Sequence, residues 1–80
     1  MMTRKLRNAF ERFKCAYVHG GKDDAVWCLI EACLTYNINR KEEVKTLVEY
    51  ANDFMYSLDD CYEAIGGSDT IEVLNYLDLI

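Results

Sequence analysis

The sequence has 80 residues, of which 51% are hydrophobic and 12% aromatic, contains no proline and carries a formal net charge of -5. A chain of this length supports one core, so we expect one domain over residues 1 to 80, and its hydrophobic content excludes intrinsic disorder. Four glycines and no proline disfavour a turn-rich β fold. The predicted fold class is therefore all-α, a compact bundle of four helices, or five if the long third helix is broken near Ser57.

The first predicted helix begins after Thr3 as N-cap and runs to about Val18, where His19 and a double glycine end it. Apolar residues at i, i+3 and i+4 spacing give it one core-facing side. The remaining surface of this helix carries the basic residues Arg4, Lys5, Arg7, Arg12 and Lys14. Cys15, Val18 and His19 also fall outside the apolar side, so we expect them to meet solvent, a neighbouring helix or a partner.

The central predicted helix spans Asp24 to Tyr36, where Glu31 is the one charge inside an apolar or small run. This run is shorter than the ~20 apolar residues that cross a bilayer, so it is expected to be the most buried helix of the bundle. The Asp23-Asp24 pair is the predicted N-cap, and the helix is expected to end near Asn37, which tolerates a left-handed backbone.

The third predicted helix begins at Asn39, which forms a capping box with Glu42. Its apolar positions repeat every seven residues: Val44, Ala51, Leu58 and Ile65. A continuous helix to Ile65 would be about 39 Å long, too long for a small monomer, so a kink or break near Ser57 is favoured over packing of its far end on another chain. A last helix is predicted from about Thr70 to Ile80, after Gly66-Gly67.

Charge is distributed unevenly along the chain, with a net +5 in residues 1 to 22 and no lysine or arginine after Lys45. If the third helix continues through Ser57, five of its acidic residues and one tyrosine fall within a band of less than about 90°. These residues are Glu42, Glu49, Asp53, Tyr56, Asp60 and Glu63. The band is either a solvated helix face or a surface that docks on a groove lined by lysine and arginine, including one built for nucleic acid. We favour docking.

Catalytic chemistry is not expected. The chain has one histidine, two serines, and no nucleophile and base at a recognisable spacing. We predict no enzyme activity, cofactor or metal, and four reduced cysteines. One metal-binding alternative stays open, because Cys15 and His19 are i, i+4 neighbours that would meet one ion, with Cys28 or Cys33 completing the site.

The basic N-terminus is not followed by an apolar run of signal-peptide type, so a cytoplasmic location is expected, that of the host cell if the chain is phage-encoded. In size and composition the chain resembles the small acidic helical proteins that phages encode to block host defence or transcription, such as anti-CRISPR proteins and nucleic acid mimics. This resemblance implies an inhibitor or adaptor that covers a basic, nucleic-acid-handling surface of a larger protein.

An alternative function is a small nucleic-acid-binding regulator. It would act through Arg4, Lys5, Arg7, Arg12 and Lys14, as a dimer formed along the seven-residue repeat. The sequence leaves open whether the protein is a monomer or a homodimer.

Overall fold

The computed structural model describes residues 2–21, 24–58, 65, 75 and 78. These ranges contain three α-helices, α1 (Arg4–Ala16), α2 (Ala25–Thr35) and α3 (Lys41–Leu58), and no strand. The all-α class is confirmed. Of the predicted last helix, Asn75 is described as helical and Asp78 as a turn. The rest of that helix and Gly66-Gly67 lie outside the described residues, so the count of four or five helices stays a prediction.

Thr3 caps the beginning of α1, as predicted. Its hydroxyl oxygen accepts the backbone N–H of Leu6 at 3.1 Å, which satisfies one of the donors that a helix start leaves unpaired. After Ala16 the chain continues through one further turn at Tyr17–Gly21, which is kinked at Gly20. Gly20 has φ 143°, a backbone conformation that side chains with a Cβ rarely adopt. The helical path therefore stops at the predicted glycine.

The end of α2 is a Schellman motif. Asn37 has φ 60°, its N–H reaches the Leu34 carbonyl at 3.4 Å, and the N–H of Ile38 reaches the Cys33 carbonyl at 2.8 Å. Ile38 is buried, so the motif also attaches the end of α2 to the core. The prediction for Asn37 is confirmed. At the other end Asp24 occupies the N-cap position, but its side chain forms no cap hydrogen bond.

The predicted capping box of α3 is wrong. The helix begins at Lys41, and the carbonyl of Arg40 accepts the N–H of Val44 at 2.9 Å, so Arg40 occupies the cap position. Asn39 lies one residue too early to cap this helix. Glu42 and Glu43 still sit favourably in the first turn, because carboxylates there complement the positive end of the helix dipole.

A continuous third helix to Ile65 is excluded by one pair of contacts. The side-chain amide of Asn52 donates to the Ile65 carbonyl at 2.5 Å, and its oxygen accepts the Ile65 N–H at 2.8 Å. These residues are 13 positions apart, a separation of about 20 Å along a straight helix. Asn52 and Ile65 therefore do not lie on one straight helix, which agrees with the kink or break predicted near Ser57. The described part of α3 reaches Leu58, and residues 59–64 lie outside the described residues.

One cluster of buried side chains joins the helices, and α1 packs against both α2 and α3. The predicted central helix contributes five buried residues from its 11, with Leu29 and Ala32 fully buried, and α3 contributes five from its 18. The repeat residues of α3 also face this cluster, since Val44 and Ala51 are 0% exposed whereas Leu58 is 50% exposed. The repeat up to Ala51 is thus occupied by the chain's own core, and the dimer predicted along it would need a different surface.

Contacts between α1 and α3 advance in the same direction along both helices. Leu6 lies beside the first turns of α3, the rings of Phe10 and Tyr50 have centroids 5.7 Å apart, and Tyr17 meets Phe54 at 6.2 Å. The two helices therefore run parallel, and their first turns lie at the same end of the molecule. This arrangement determines which charged side chains become neighbours.

Candidate functional site

Four of the six residues predicted to bind a partner lie on the exposed side of α3. We call Glu42, Glu49, Asp53 and Tyr56 the acidic face. All four are exposed, Tyr56 to 59%. None of its carboxylates forms an ion pair with another described residue. Asp60 and Glu63, the other two predicted residues, lie outside the described residues.

Two shallow depressions follow one another along the acidic face. One, of about 330 Å³, is lined by Thr46, Glu49, Tyr50 and Asp53. The other, of about 300 Å³, lies between the starts of α1 and α3 and is lined by Thr3, Leu6, Arg40, Glu42, Glu43 and Thr46. Because Thr46 lines both, the two depressions are neighbours on α3.

Sequence reasoning missed Thr46 and Tyr50 as members of this surface. A signal was present, because Thr46, Tyr50 and Asp53 stand at i, i+4 and i+7 and so share a side of α3. Tyr50 is also fixed in place by Phe10 of α1, whose ring lies 5.7 Å from it. The wall of the depression is therefore built on packed helices and not on loops, an arrangement that holds the side chains of a binding site in place.

Two of the five basic residues predicted for nucleic acid are engaged within the chain. Nη2 of Arg12 lies 2.6 Å from Oε1 of Glu31 on α2, and this hydrogen bond raises the pKa of Arg12. Nζ of Lys14 lies 2.8 Å from Oε1 of Glu11 and 4.8 Å from the centre of the Phe10 ring. Neither ion pair involves an acidic residue of α3. Arg12 and Lys14 therefore do not neutralise the acidic face through these two contacts.

The other three predicted basic residues, Arg4, Lys5 and Arg7, are exposed at the start of α1. Within the part of the chain that the structure describes, none of them forms an ion pair. The structure thus divides the predicted nucleic-acid set into an engaged pair and an exposed group of three. That group lies at the end of the molecule where α3 also begins.

Cys15 and His19 line a depression of about 190 Å³ together with Arg12, Ala16 and Glu31. Cys15 is exposed, whereas Cys28 and Cys33 are buried in the core. Among the described residues, no group of three or more His, Cys, Asp and Glu side chains is arranged to hold a metal ion.

The buried cysteines have perturbed thiols. Burial raises the pKa of Cys28, and burial together with the nearby Glu43 carboxylate raises the pKa of Cys33 to about 12. Oε1 of Glu43 is itself buried and has no hydrogen-bond partner among the described residues. Both thiols are therefore held in the neutral form, which is neither nucleophilic nor metal-binding.

No family model, curated protein or solved structure matches the chain. Within the described ranges, none of the helices combines the length and the apolar character needed to cross a membrane.

Proposed function

We propose that this chain is a protein-binding inhibitor or adaptor whose acidic face docks on a basic surface of a larger protein. The observation that carries the proposal is the depression in which Glu49 and Asp53 stand beside Tyr50 with no cation paired to either carboxylate among the described residues. The site requires no cofactor and no catalytic group.

The carboxylates give the surface a preference for cationic partners. Glu49 and Asp53 are like charges at i, i+4 on one helix, an arrangement that costs a few tenths of a kcal/mol. A lysine or arginine placed between them removes this repulsion and gains charge-assisted hydrogen bonds. Because both carboxylates are exposed, their main contribution is to speed association and to select the partner, and this contribution weakens as salt is added.

The tyrosines supply the apolar part of the contact. Tyr50 and Tyr56 are 36% and 59% exposed and stand beside the carboxylates on α3. Tyrosine is enriched among the residues that dominate binding energies, since it buries a large rigid area and still offers a hydroxyl. A partner that combines cationic groups with an apolar rim fits this surface better than a purely charged one.

The partner that fits best is a protein that handles nucleic acid, because its working groove is lined by lysine and arginine. Occlusion of such a groove would inhibit it without any chemistry. The resemblance in size and composition to phage-encoded inhibitors of host defence or transcription supports this mechanism, with action in the cytoplasm of the host cell.

Affinity capture from a nuclease-treated bacterial lysate tests the proposal. The parent is compared with Glu49→Gln, Asp53→Asn and with a matched control, Glu11→Gln, Glu31→Gln. Both variants remove two negative charges, but the control removes acids that are already paired with Lys14 and Arg12. Retained proteins are identified by mass spectrometry, and the dissociation constant of each purified candidate is then measured for all three baits.

The expected result is a basic, nucleic-acid-handling protein that binds the parent and the control and loses at least about tenfold in affinity, or ~1.4 kcal/mol, for the acidic-face variant. Equal retention by all three baits would show that the acidic face is only a solvated helix surface.

A further inference from the structure

The parallel packing of α1 and α3 unites two basic segments that are far apart in the sequence. A single depression is lined by Thr3 and Leu6 from the start of α1 and by Arg40, Glu42, Glu43 and Thr46 from the start of α3. The cations that flank these positions therefore lie at one end of the molecule. We call this set the basic end: Arg4, Lys5, Arg7, Arg40, Lys41 and Lys45, all exposed.

The basic end is positively charged although the whole chain has a net charge of -5. Residues 2–8 and 39–46 contain these six cations and only two carboxylates, Glu42 and Glu43. No ion pair within the described residues involves any of the six. Lysine and arginine side chains left unpaired in such a group are the electrostatic footprint of an anionic ligand.

The position of Arg4, Lys5 and Arg7 is unfavourable for α1. The first turn of α1 contains no acidic residue and three basic ones, which oppose the positive end of the helix dipole. The same charges at the C-terminus of a helix would give the protein the same solubility, and the helix dipole favours them there. Placing them at the start is a local cost that an anionic ligand would offset.

We propose that the basic end binds the phosphodiester backbone of duplex nucleic acid without reading its sequence. Arginine guanidinium groups pair with phosphate oxygens through two parallel hydrogen bonds, and three of the six residues are arginines. The molecule measures 29 × 27 × 22 Å, so its end covers roughly six base pairs at 3.4 Å per step.

Two observations define this site further. None of the large apolar side chains exposed in the described residues belongs to residues 2–8 or 39–46, so the described part of this end lacks the apolar side chains that insert into a lipid surface.

The basic end differs from the set of residues predicted from sequence for nucleic acid. Arg12 and Lys14 of that set form ion pairs with Glu31 and Glu11 and do not belong to the basic end, which instead includes cations from the start of α3.

The basic end borders the acidic face at Glu42, which lines the depression between the two helix starts, but it differs from that face in ligand. Glu49 and Asp53 lie about one and two turns beyond Lys45, so the duplex meets repulsion if it extends over them. Binding is therefore strongest at low salt and is confined to the backbone that the basic end reaches.

Fluorescence anisotropy with a labelled duplex of about 20 base pairs at about 50 mM salt tests the site on the purified chain. The test variant is Lys5→Gln, Lys45→Gln, which removes one cation from each segment. The matched control is Arg12→Gln, Lys14→Gln, which lowers the net charge from -5 by the same two units but removes the engaged cations. Circular dichroism melting confirms that both variants are folded.

We expect the test variant to bind at least about tenfold more weakly than the parent, and the slope of log K against log salt to decrease by about two. The control should change the affinity less than about threefold, with an unchanged slope. Equal weakening in both variants, absence of parent binding at low salt, or binding to anionic lipid vesicles in place of the duplex would overturn the proposal. Since no partner protein takes part, this test fails or succeeds independently of the proposed docking of the acidic face.

Discussion

The side-chain amide of Asn52 pairs with both main-chain polar groups of Ile65, donating to the carbonyl at 2.5 Å and accepting from the N–H at 2.8 Å. Ile65 is 1% exposed, so its backbone groups have little access to water that would replace Asn52. One side chain in the middle of α3 thus satisfies the buried backbone groups of Ile65 and holds this residue against the core.

Replacing Asn52 by alanine should destabilise the fold. The change removes two hydrogen bonds and leaves the N–H and C=O of Ile65 buried without partners, so we expect the free energy of unfolding to fall by about 2 kcal/mol. Urea denaturation monitored by circular dichroism measures it. Asn52→Leu, which keeps the volume but also lacks both hydrogen-bonding groups, should show a comparable loss. A change below about 0.5 kcal/mol in both variants would mean that the pair contributes little.

A charge at the centre of α2 should abolish folding, whereas the same change on its exposed side should not. Leu29 is 0% exposed and Leu34 is 55% exposed on the same helix. Leu29→Asp would bury an unpaired carboxylate in the core and is expected to give an unfolded chain. Leu34→Asp serves as the control and should melt within a few degrees of the parent. A cooperative melt of Leu29→Asp near the parent temperature would contradict the core described here.

The three described cysteines should differ in their reactivity towards alkylating agents. Cys15 is exposed, whereas Cys28 and Cys33 are buried and have raised pKa values. A short pulse of iodoacetamide at neutral pH, followed by peptide mapping, should label Cys15 much faster than the two buried thiols, and denaturant should remove the difference. Labelling of Cys33 as fast as Cys15 in the native protein would be incompatible with its burial.

Alkaline pH should destabilise the fold through Cys33. Its pKa in the folded chain is raised to about 12, above the ordinary value of about 8.5 that it has when unfolded. The unfolded state therefore loses this proton first, so stability is complete below pH ~8.5 and decreases as the pH rises towards 12, by up to ~1.4 kcal/mol per pH unit.

Urea denaturation at several pH values, with Cys33→Ala as reference, isolates this effect from the titration of lysine and tyrosine. The parent should lose stability more steeply than the variant above pH ~8.5. Parallel pH dependences would rule out the thiol as the cause.

The local features of the fold were accessible from sequence because they depend on neighbouring residues. Thr3 as N-cap, the left-handed Asn37 and the burial of the central helix all follow from patterns a few residues long. A kink or break of the third helix near Ser57 was also predicted, from the length that a continuous helix would have, and the contact between Asn52 and Ile65 agrees with it. The first residue of α3 was misplaced, because Asn39 is the better capping residue but Arg40 occupies the cap position.

The features that could not be predicted from the sequence depend on how the helices pack against one another. Periodicity identifies the buried side of α1 and of α3 but not whether they run parallel or antiparallel, so the union of Arg4 and Lys45 at one end was not predictable. The pairing of Asn52 with Ile65 was hidden for the same reason. Sequence placed Glu42, Glu49 and Asp53 on a side of α3 that the structure shows exposed, whereas the depression that includes Thr46 and Tyr50 depends on packing against Phe10.

The most direct test of the central claim is competition between this chain and nucleic acid for the captured partner, measured at about 150 mM salt, where weak contacts of the chain itself with a duplex are screened. If the acidic face occludes the groove, the parent and Glu11→Gln, Glu31→Gln should displace labelled nucleic acid from the partner, while Glu49→Gln, Asp53→Asn should require at least about a tenfold higher concentration. Simultaneous binding of the parent and nucleic acid to the partner, or equal displacement by all three proteins, would contradict occlusion by the acidic face.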